Sequence, residues 1–311
     1  MARPASGIAP ILFLVTAAAL WGVATVISKN VLGSVQPITF LLIQLVPSVC
    51  VLWAIVLSTR TSLSLPVLPL ALLGVLNPGV SYTLSMLGLT TTTASVATLL
   101  WAAEPALIVL VAWLLCVERV NSRFVLATAA AAGGVVLVSG LIEGGDLRAN
   151  NIAGPGLILA GVLCCALYTV LMRRLASIYN PLAATAVQQT AGLLWAAAIW
   201  PFEGQVGQGT LAAIPNEVLA ASALSGFMYY GIAFWLYLSA LRSVSATTAG
   251  IFLNLTPLFG IATAWVVLGE RLTPLQWTGG AVIIVSVIVL LASPTATVAP
   301  DETSAGKGAQ E

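Results

Sequence analysis

The chain has 311 residues, of which 59% are hydrophobic and 7% charged, with a net charge of +1 and no histidine. Soluble domains run at roughly 45–50% apolar and about 25% charged residues, so the composition excludes an ordinary water-soluble globule and points to a polytopic membrane protein. The near-zero charge, with no basic block, argues against a nucleic-acid partner, and the missing imidazoles remove histidine proton relays and most transition-metal sites.

A spanning helix needs about 20 mostly apolar residues. In chain order, segments that meet this test lie at 8–32, 37–57, 66–88, 94–116, 123–141, 153–174, 181–201, 216–240, 245–268 and 275–293. The first follows a single positive charge, Arg3, and superficially resembles a signal peptide. Its apolar run continues to Leu32 and similar segments follow, so it reads as an uncleaved span. Gln36-Pro37, Leu65-Pro66, Asn180-Pro181, Ile214-Pro215 and Thr273-Pro274 mark boundaries between spans. The most polar internal connection, IEGGDLRANNI (142–152), separates a first unit, 1–142, from a second, 152–293, and residues 294–311 read as a disordered cytoplasmic tail. Cys50, Cys116, Cys164 and Cys165 all fall in apolar runs without a CxxC spacing and read as small packing residues.

With the N-terminus in the cytoplasm, Arg3, Arg60, Arg119, Arg123, Arg173, Arg174 and Arg242 lie inside, against Lys29, Arg148 and Arg271 outside. The excess of inner positive charge places both termini in the cytoplasm of a multi-pass protein of the plasma (cell inner) membrane.

The chain also repeats itself. EPALIVLVAWLLCVER (104–119) aligns without a gap on TPLFGIATAWVVLGER (256–271) at an offset of 152, pairing Pro105 with Pro257, Trp113 with Trp265 and Glu118-Arg119 with Glu270-Arg271. Ahead of them, TTTASVATLL (91–100) corresponds to SVSATTAGIF (243–252). Further upstream the register shifts, and Trp21 pairs with Tyr168 and Pro37 with Pro181. The matched segments are the fourth and ninth spans, an odd number apart, so the copies run through the membrane in opposite directions. The expected fold is an all-α membrane protein of ten transmembrane helices, arranged as two inverted five-helix repeats around a central cavity. Such a plan places a site at the midplane and permits alternating access.

LWGVATVISK (20–29), the small-residue run ahead of a mid-helix proline, and LGERLTPLQWTGG (268–280) resemble the EamA family of the drug/metabolite transporter superfamily over essentially the whole chain. The first half departs from the family pattern at Cys116-Val117-Glu118, where glycine is usual before the glutamate. The resemblance implies ten helices, both termini inside, a central cavity and export of amino acids or related metabolites. The aromatic amino-acid exporter (YddG-like) branch is one candidate within it.

The chemistry is expected where polar groups interrupt apolar runs. Glu104 is the acid placed inside a span, where a charge costs about 2.5–3.5 kcal/mol on insertion scales. It reads either as a group that alternates between carrying a proton and meeting an amine, or as a protonated packing group. Pro105 and Pro257 each remove a helical N–H at matched positions and kink their helices, as does Pro78 after Asn77. Gln44 and Gln188 lie seven residues after the matched Pro37 and Pro181, Tyr229 is the repeat equivalent of Asn77, and Asn254 precedes Pro257 by three. These groups serve as interhelical glue or as contacts of a solute; as a set converging on the repeat interface they read as a cavity. Trp21, Tyr82, Trp101, Tyr168 and Tyr229 complete the expected substrate-binding set. Lys29 reads as a snorkelling cation; the family resemblance, by its place eight residues after the tryptophan of the LWG motif, implies a gate or a substrate contact.

The function that follows is secondary transport, with export of amino acids or related small metabolites by alternating access. No GxxxxGK[ST] loop is present, so the chain does not use ATP. No cofactor and no metal are expected, and with one buried acid and no histidine, neither is an enzyme. The expected partners are a small-molecule solute and the lipid bilayer, with the chain acting as a monomer. A multidrug or organic-cation transporter of the same superfamily is the alternative, since Glu104 and the aromatics could hold a cation. A sugar-conjugate transporter would want several deep Lys or Arg residues.

Overall fold

A computed structural model of the chain describes residues 8–63, 66–115, 122–138, 153–173, 175, 178–203, 214–241, 252–253 and 255–291. Its regular structure is helical throughout. Helices α1 (Ile8–Val31) and α2 (Pro37–Ser58) are followed by α3 (Leu68–Gly74), which passes through a π-helical turn, Val75–Val80, into α4 (Ser81–Thr90). Helices α5 (Ala94–Trp101), α6 (Glu104–Leu114) and α7 (Ser122–Val138) close the first half. The second half holds α8 (Ala153–Arg173), α9 (Pro181–Ile199) and α10 (Asn216–Gly226). A second π-helical turn, Phe227–Ala233, leads to α11 (Phe234–Leu241), and α12 (Thr256–Leu268) and α13 (Pro274–Leu291) follow.

Among the described residues, seven helical stretches are long and apolar enough to cross a membrane: Ile8–Val31, Pro37–Ser58, Leu68–Thr90, Ala94–Leu114, Ala153–Met172, Pro181–Phe202 and Asn216–Ala240. Ala129–Val138 and Thr256–Leu268 are apolar but shorter. The expected segments 123–141, 245–268 and 275–293 run partly outside the described residues, and helices α7, α12 and α13 are their described parts. Glu118, Arg119, Cys116, the 142–152 connection, Asn254 and the 294–311 tail also lie outside them.

The bundle is apolar on its outside and buries polar side chains among the apolar ones of its interior. Leu72, Leu194 and Val266 are exposed, whereas Ser28, Gln44, Asn77 and Gln188 are buried. Water would penalise that arrangement, and lipid favours it because polar groups must find partners inside the protein.

Local signals fix the helix ends. Pro37 and Pro181 stand in the first turn, where their missing N–H costs nothing. The Asn180 side chain accepts the Leu182 N–H at 3.0 Å, and Thr93 accepts that of Val96 at 3.2 Å. Thr273 and Gln276 exchange backbone-to-side-chain bonds at 3.0 and 3.2 Å, a capping box that starts α13. Gly269, at φ +68°, stops α12 in the left-handed conformation that glycine adopts most readily.

Three features recur between the halves. The π-helical turns start at Val75 and Phe227, an offset of 152. Ala103 and Leu255, at the same offset, precede the first residues of α6 and α12 with nearly the same backbone (φ −78°, ψ −9° and φ −76°, ψ −20°). Finally, Gly74 packs against the backbone of Gln188 so closely that a Cβ would overlap it, and Gly226 packs in the same way against the backbone of Gln44. Each half thus lays a glycine on a glutamine of the other. Helices α7 and α13 meet at Gly134 and Gly279, each lying against the other's carbonyl.

Candidate functional site

The two broken helices meet a cavity. Pro105 has no N–H for the carbonyl of Trp101, and the chain responds with tighter turns: Ala102 N–H reaches Leu99 O at 3.1 Å and Ala103 N–H reaches Leu100 O at 3.1 Å. In the second half, Leu255 N–H bonds Phe252 O at 3.0 Å. Glu104, Pro105, Thr256 and Pro257 all line the cavity, whose volume is about 70 Å³.

Its walls are aromatic. Tyr82 stacks on Trp101 with centroids 5.6 Å apart and planes at 17°, and Tyr229 meets Tyr82 edge-on at 5.2 Å. Trp21 packs edge-on against Phe234 and Tyr237, each at 5.5 Å, and its indole N–H donates to Tyr229 O at 3.2 Å. Offset and edge-on pairs of this kind hold one another in place. Tyr168 adds a further ring from α8, its hydroxyl donating to Gln188 Oε1 at 2.9 Å.

The polar groups form a line across three helical stretches. The Asn77 amide donates to Cys165 Sγ at 3.4 Å, and the Cys165 thiol donates to Glu104 Oε1 at 3.2 Å. Asn77 stands at the break in the Leu68–Thr90 stretch, with extended backbone (φ −146°, ψ 115°) inside otherwise helical surroundings. Pro78 follows it, buried in the same π-helical turn. Among the described lining residues Glu104 is the only acid, and there is no Lys or Arg.

Of the residues singled out in the sequence, Trp21, Asn77, Tyr82, Trp101, Glu104, Tyr168 and Tyr229 line this cavity, with the kinks Pro105 and Pro257. Gln188 stands behind it, between Tyr168 and Met172 Sδ, to which its amide donates at 3.3 Å. Gln44 is packed away from it at the α2–α10 crossing, donating to Ser28 and Ser225 hydroxyls at 3.2 and 2.9 Å. The lining also includes Thr25, Thr98, Cys165, Thr169, Phe234, Tyr237 and Leu253. Small hydroxyl, thiol and apolar residues of this kind populate every span, and the sequence carries no signal that separates these from the rest.

A smaller cavity of about 20 Å³, which includes Ser28, Ser85 and Leu89, shares Thr25, Tyr82, Trp101 and Tyr229 with the first. Those four residues are therefore the partition. Beyond it the helix ends are tied together. Lys29 donates to the Leu89 and Thr90 carbonyls at 2.8 and 3.3 Å, at the C-terminus of α4. Glu270 accepts from Ala94 N–H, Ser95 N–H and the Ser95 hydroxyl at 3.0, 2.8 and 2.7 Å, at the N-terminus of α5. At the same end of the bundle Glu203 accepts from the Ile38 and Thr39 N–H groups and, at 2.7 Å, from the Thr39 hydroxyl. Carboxylates suit helix N-termini and cations suit C-termini.

The model of the EamA-like transporter family matches residues 8–140 and again 152–292. An uncharacterized transporter of Archaeoglobus fulgidus is 23% identical over 219 residues, 70% of this chain and 75% of that one. The uncharacterized transporter YyaM of Bacillus subtilis is 26% identical over 208 residues, 66% of this chain and 67% of its own. A solved crystal structure superposes with a TM-score of 0.64 at 21% identity, covering 92% of this chain and 97% of that one, a likeness of fold.

Proposed function

Since the chain belongs to the EamA-like transporter family, we propose that this multi-pass membrane protein exports amino acids or related small metabolites across the plasma (cell inner) membrane as a secondary transporter. The observation that carries the reading is a cavity walled by both halves, with Glu104 at one of two matched helix breaks. Ten spans form two inverted five-helix repeats with both termini cytoplasmic, so the end tied by Lys29, Glu203 and Glu270 faces outward. The reciprocal glycine–glutamine crossings support that symmetry, because a two-fold axis makes each half's contact the mirror of the other's. Rocking of the halves exposes the cavity to each side in turn. At about 70 Å³ the cavity is smaller than typical small-molecule pockets of roughly 300–1,000 Å³, so the solute enters as the halves part. Its aromatic walls favour a solute with a flat apolar body, in line with the aromatic amino-acid branch of the family. No catalysis and no cofactor belong to this reading, and a single copy of the chain suffices.

An organic-cation transporter is the second reading, favoured by a lone carboxylate among aromatic rings. Transport of a radiolabelled amino-acid panel into proteoliposomes tests the first. The wild type is expected to carry some of the panel with counterflow and to respond to an imposed pH gradient. Glu104→Gln, which keeps the size and one oxygen acceptor, is expected to carry the same solutes at saturation without that response. Equal behaviour of both proteins with and without the gradient would make Glu104 a packing group. A folded wild type that carries none of the panel would overturn the amino-acid reading in favour of the cation.

A further inference from the structure

We infer that Asn77, Glu104 and Cys165 form a subsite for the protonated primary amino group of the solute, with Cys165 as the residue that positions the other two. The inference rests on the transporter reading and gives that cavity its chemistry.

The three side chains converge from the π-helical break, from the first turn of α6 and from the middle of α8. Their hydrogen bonds run in one direction, from the Asn77 amide to the Cys165 sulfur and from the Cys165 thiol to Glu104 Oε1. Thr169, one turn further along α8, lines the same cavity. The consequence lies at Asn77. With its NH₂ engaged by sulfur, its oxygen is the atom left without a partner in a residue that lines the cavity. Asn77 is 1% exposed, and Oδ1 has no hydrogen-bond partner among the described residues. A buried acceptor without a partner is costly, and in a residue that lines a cavity an occupant can supply the missing donor. Glu104 is an acceptor as well, and the thiol occupies one of its roughly four lone-pair positions.

The cluster therefore offers oxygen acceptors from two residues, while the Cys165 thiol and one of the two Asn77 N–H donors are spent internally. Its complement is a cation with several N–H donors close together, and a primary ammonium has three on one atom. The rings of Trp101 and Tyr168 line the same cavity and attract a cation through their faces. A neutral amide offers one donor and no charge, so N-acetylation of the solute removes what the cluster reads. With no Lys or Arg among the described lining residues, a carboxylate on the solute adds little.

Binding of radiolabelled phenethylamine to the purified protein in detergent tests this, with N-acetylphenethylamine and phenylalanine as competitors and thermal melting as the check of folding. Wild type is expected to prefer phenethylamine over the N-acetyl form by about tenfold or more, as loss of charged hydrogen bonds dictates. Cys165→Ala frees the Asn77 amide to turn its NH₂ toward the cavity, and the preference is expected to collapse toward one. Cys165→Ser, which keeps a donor and an acceptor, retains most of it. A merely structural cysteine would lower both affinities together and leave the ratio intact, and that result would overturn the proposal. So would an N-acetyl competitor as effective as the free amine, or folded wild-type protein that does not bind phenethylamine. Counterflow of the amino-acid panel reads the transporter proposal separately. Transport without amine preference removes the subsite alone, whereas amine binding dependent on Cys165 without amino-acid transport removes the exporter reading alone.

Discussion

Glu104–Pro105 and Thr256–Pro257 are built alike and furnished differently. Both pairs open a helix after a nearly superimposable backbone turn, both place proline second, and both reach the cavity. At the offset of 152, however, a carboxylate faces a hydroxyl. The positive end of the α6 dipole is met by its own acid, an arrangement worth about 0.3–1 kcal/mol where solvent is near and more where it is not. That of α12 is not met in this way. The duplication therefore keeps the backbone device, a proline-forced break that bends a helix at the cavity wall, and lets the chemistry diverge between the copies.

The sharpest way to break the comparison is to equalise it. Glu104→Thr makes the two breaks chemically alike and removes the charged acceptor. The affinity for an amine-bearing solute is expected to fall roughly 10- to 100-fold, the range for a hydrogen bond to a charged group, measured as the half-saturating concentration for uptake into proteoliposomes. Thr256→Val keeps the shape at the other break and is expected to stay within about threefold of wild type, given that its hydroxyl makes a neutral contact at most. Equal losses at both positions would mean that the breaks act only as bends.

How much of this could be read from the chain depends on whether a residue is out of place in lipid. Glu104, Pro105 and Pro257 stand out because a charge or a missing N–H is expensive there, and the repeat ties the prolines together without any structure. Asn77 and Tyr229 were legible as a pair for the same reason, and both fall in π-helical turns. Facing was not legible. On a spanning helix both the lipid side and the protein side are apolar, so the periodicity that reveals an inner face in water is weak here. Gln44 and Gln188 could thus be matched to each other, yet nothing in the sequence placed them at helix crossings rather than on the cavity wall. Cys165 is the clearest case. Among four cysteines in apolar runs it looks like filler, and its role as a bridge between Asn77 and Glu104 exists only once three distant stretches are brought together.

A smaller effect sharpens the symmetry rather than the chemistry. Gly74 and Gly226 make equivalent crossings on Gln188 and Gln44, so Gly74→Ala and Gly226→Ala are expected to cost alike. Each forces a methyl group into backbone with no flexible side chain to yield, an overpacking cost of roughly 1–3 kcal/mol. Alanine's better helix propensity offsets about 1 kcal/mol of that. Thermal melting in detergent reads the difference, with both variants below wild type by similar amounts. A large loss at one site only would show that the two crossings do not bear the same load.

The smallest expected effect concerns the tied end of the bundle, where Glu270 and Glu203 are again a matched function on different elements. Each acid from the second half accepts three donors at a helix start in the first half, at Ala94–Ser95 and at Ile38–Thr39. Gln has one oxygen and no charge, so Glu270→Gln and Glu203→Gln each lose part of a cap, worth about 1 kcal/mol. Their surroundings differ in one respect. Lys29 is within electrostatic reach of Glu270 and anchors the adjoining helix end through the Leu89 and Thr90 carbonyls, so removing the Glu270 charge disturbs two helix ends at once. If that end opens and closes during transport, both variants melt slightly earlier, but Glu270→Gln alone changes the balance between outward- and inward-open forms. The readout is the rate at which a membrane-impermeant thiol reagent labels a cysteine placed at Ser28, behind the partition, in a background whose four native cysteines are replaced by serine: faster in Glu270→Gln than in Glu203→Gln. Equal labelling in both would reduce the Glu270 contact to an ordinary helix cap.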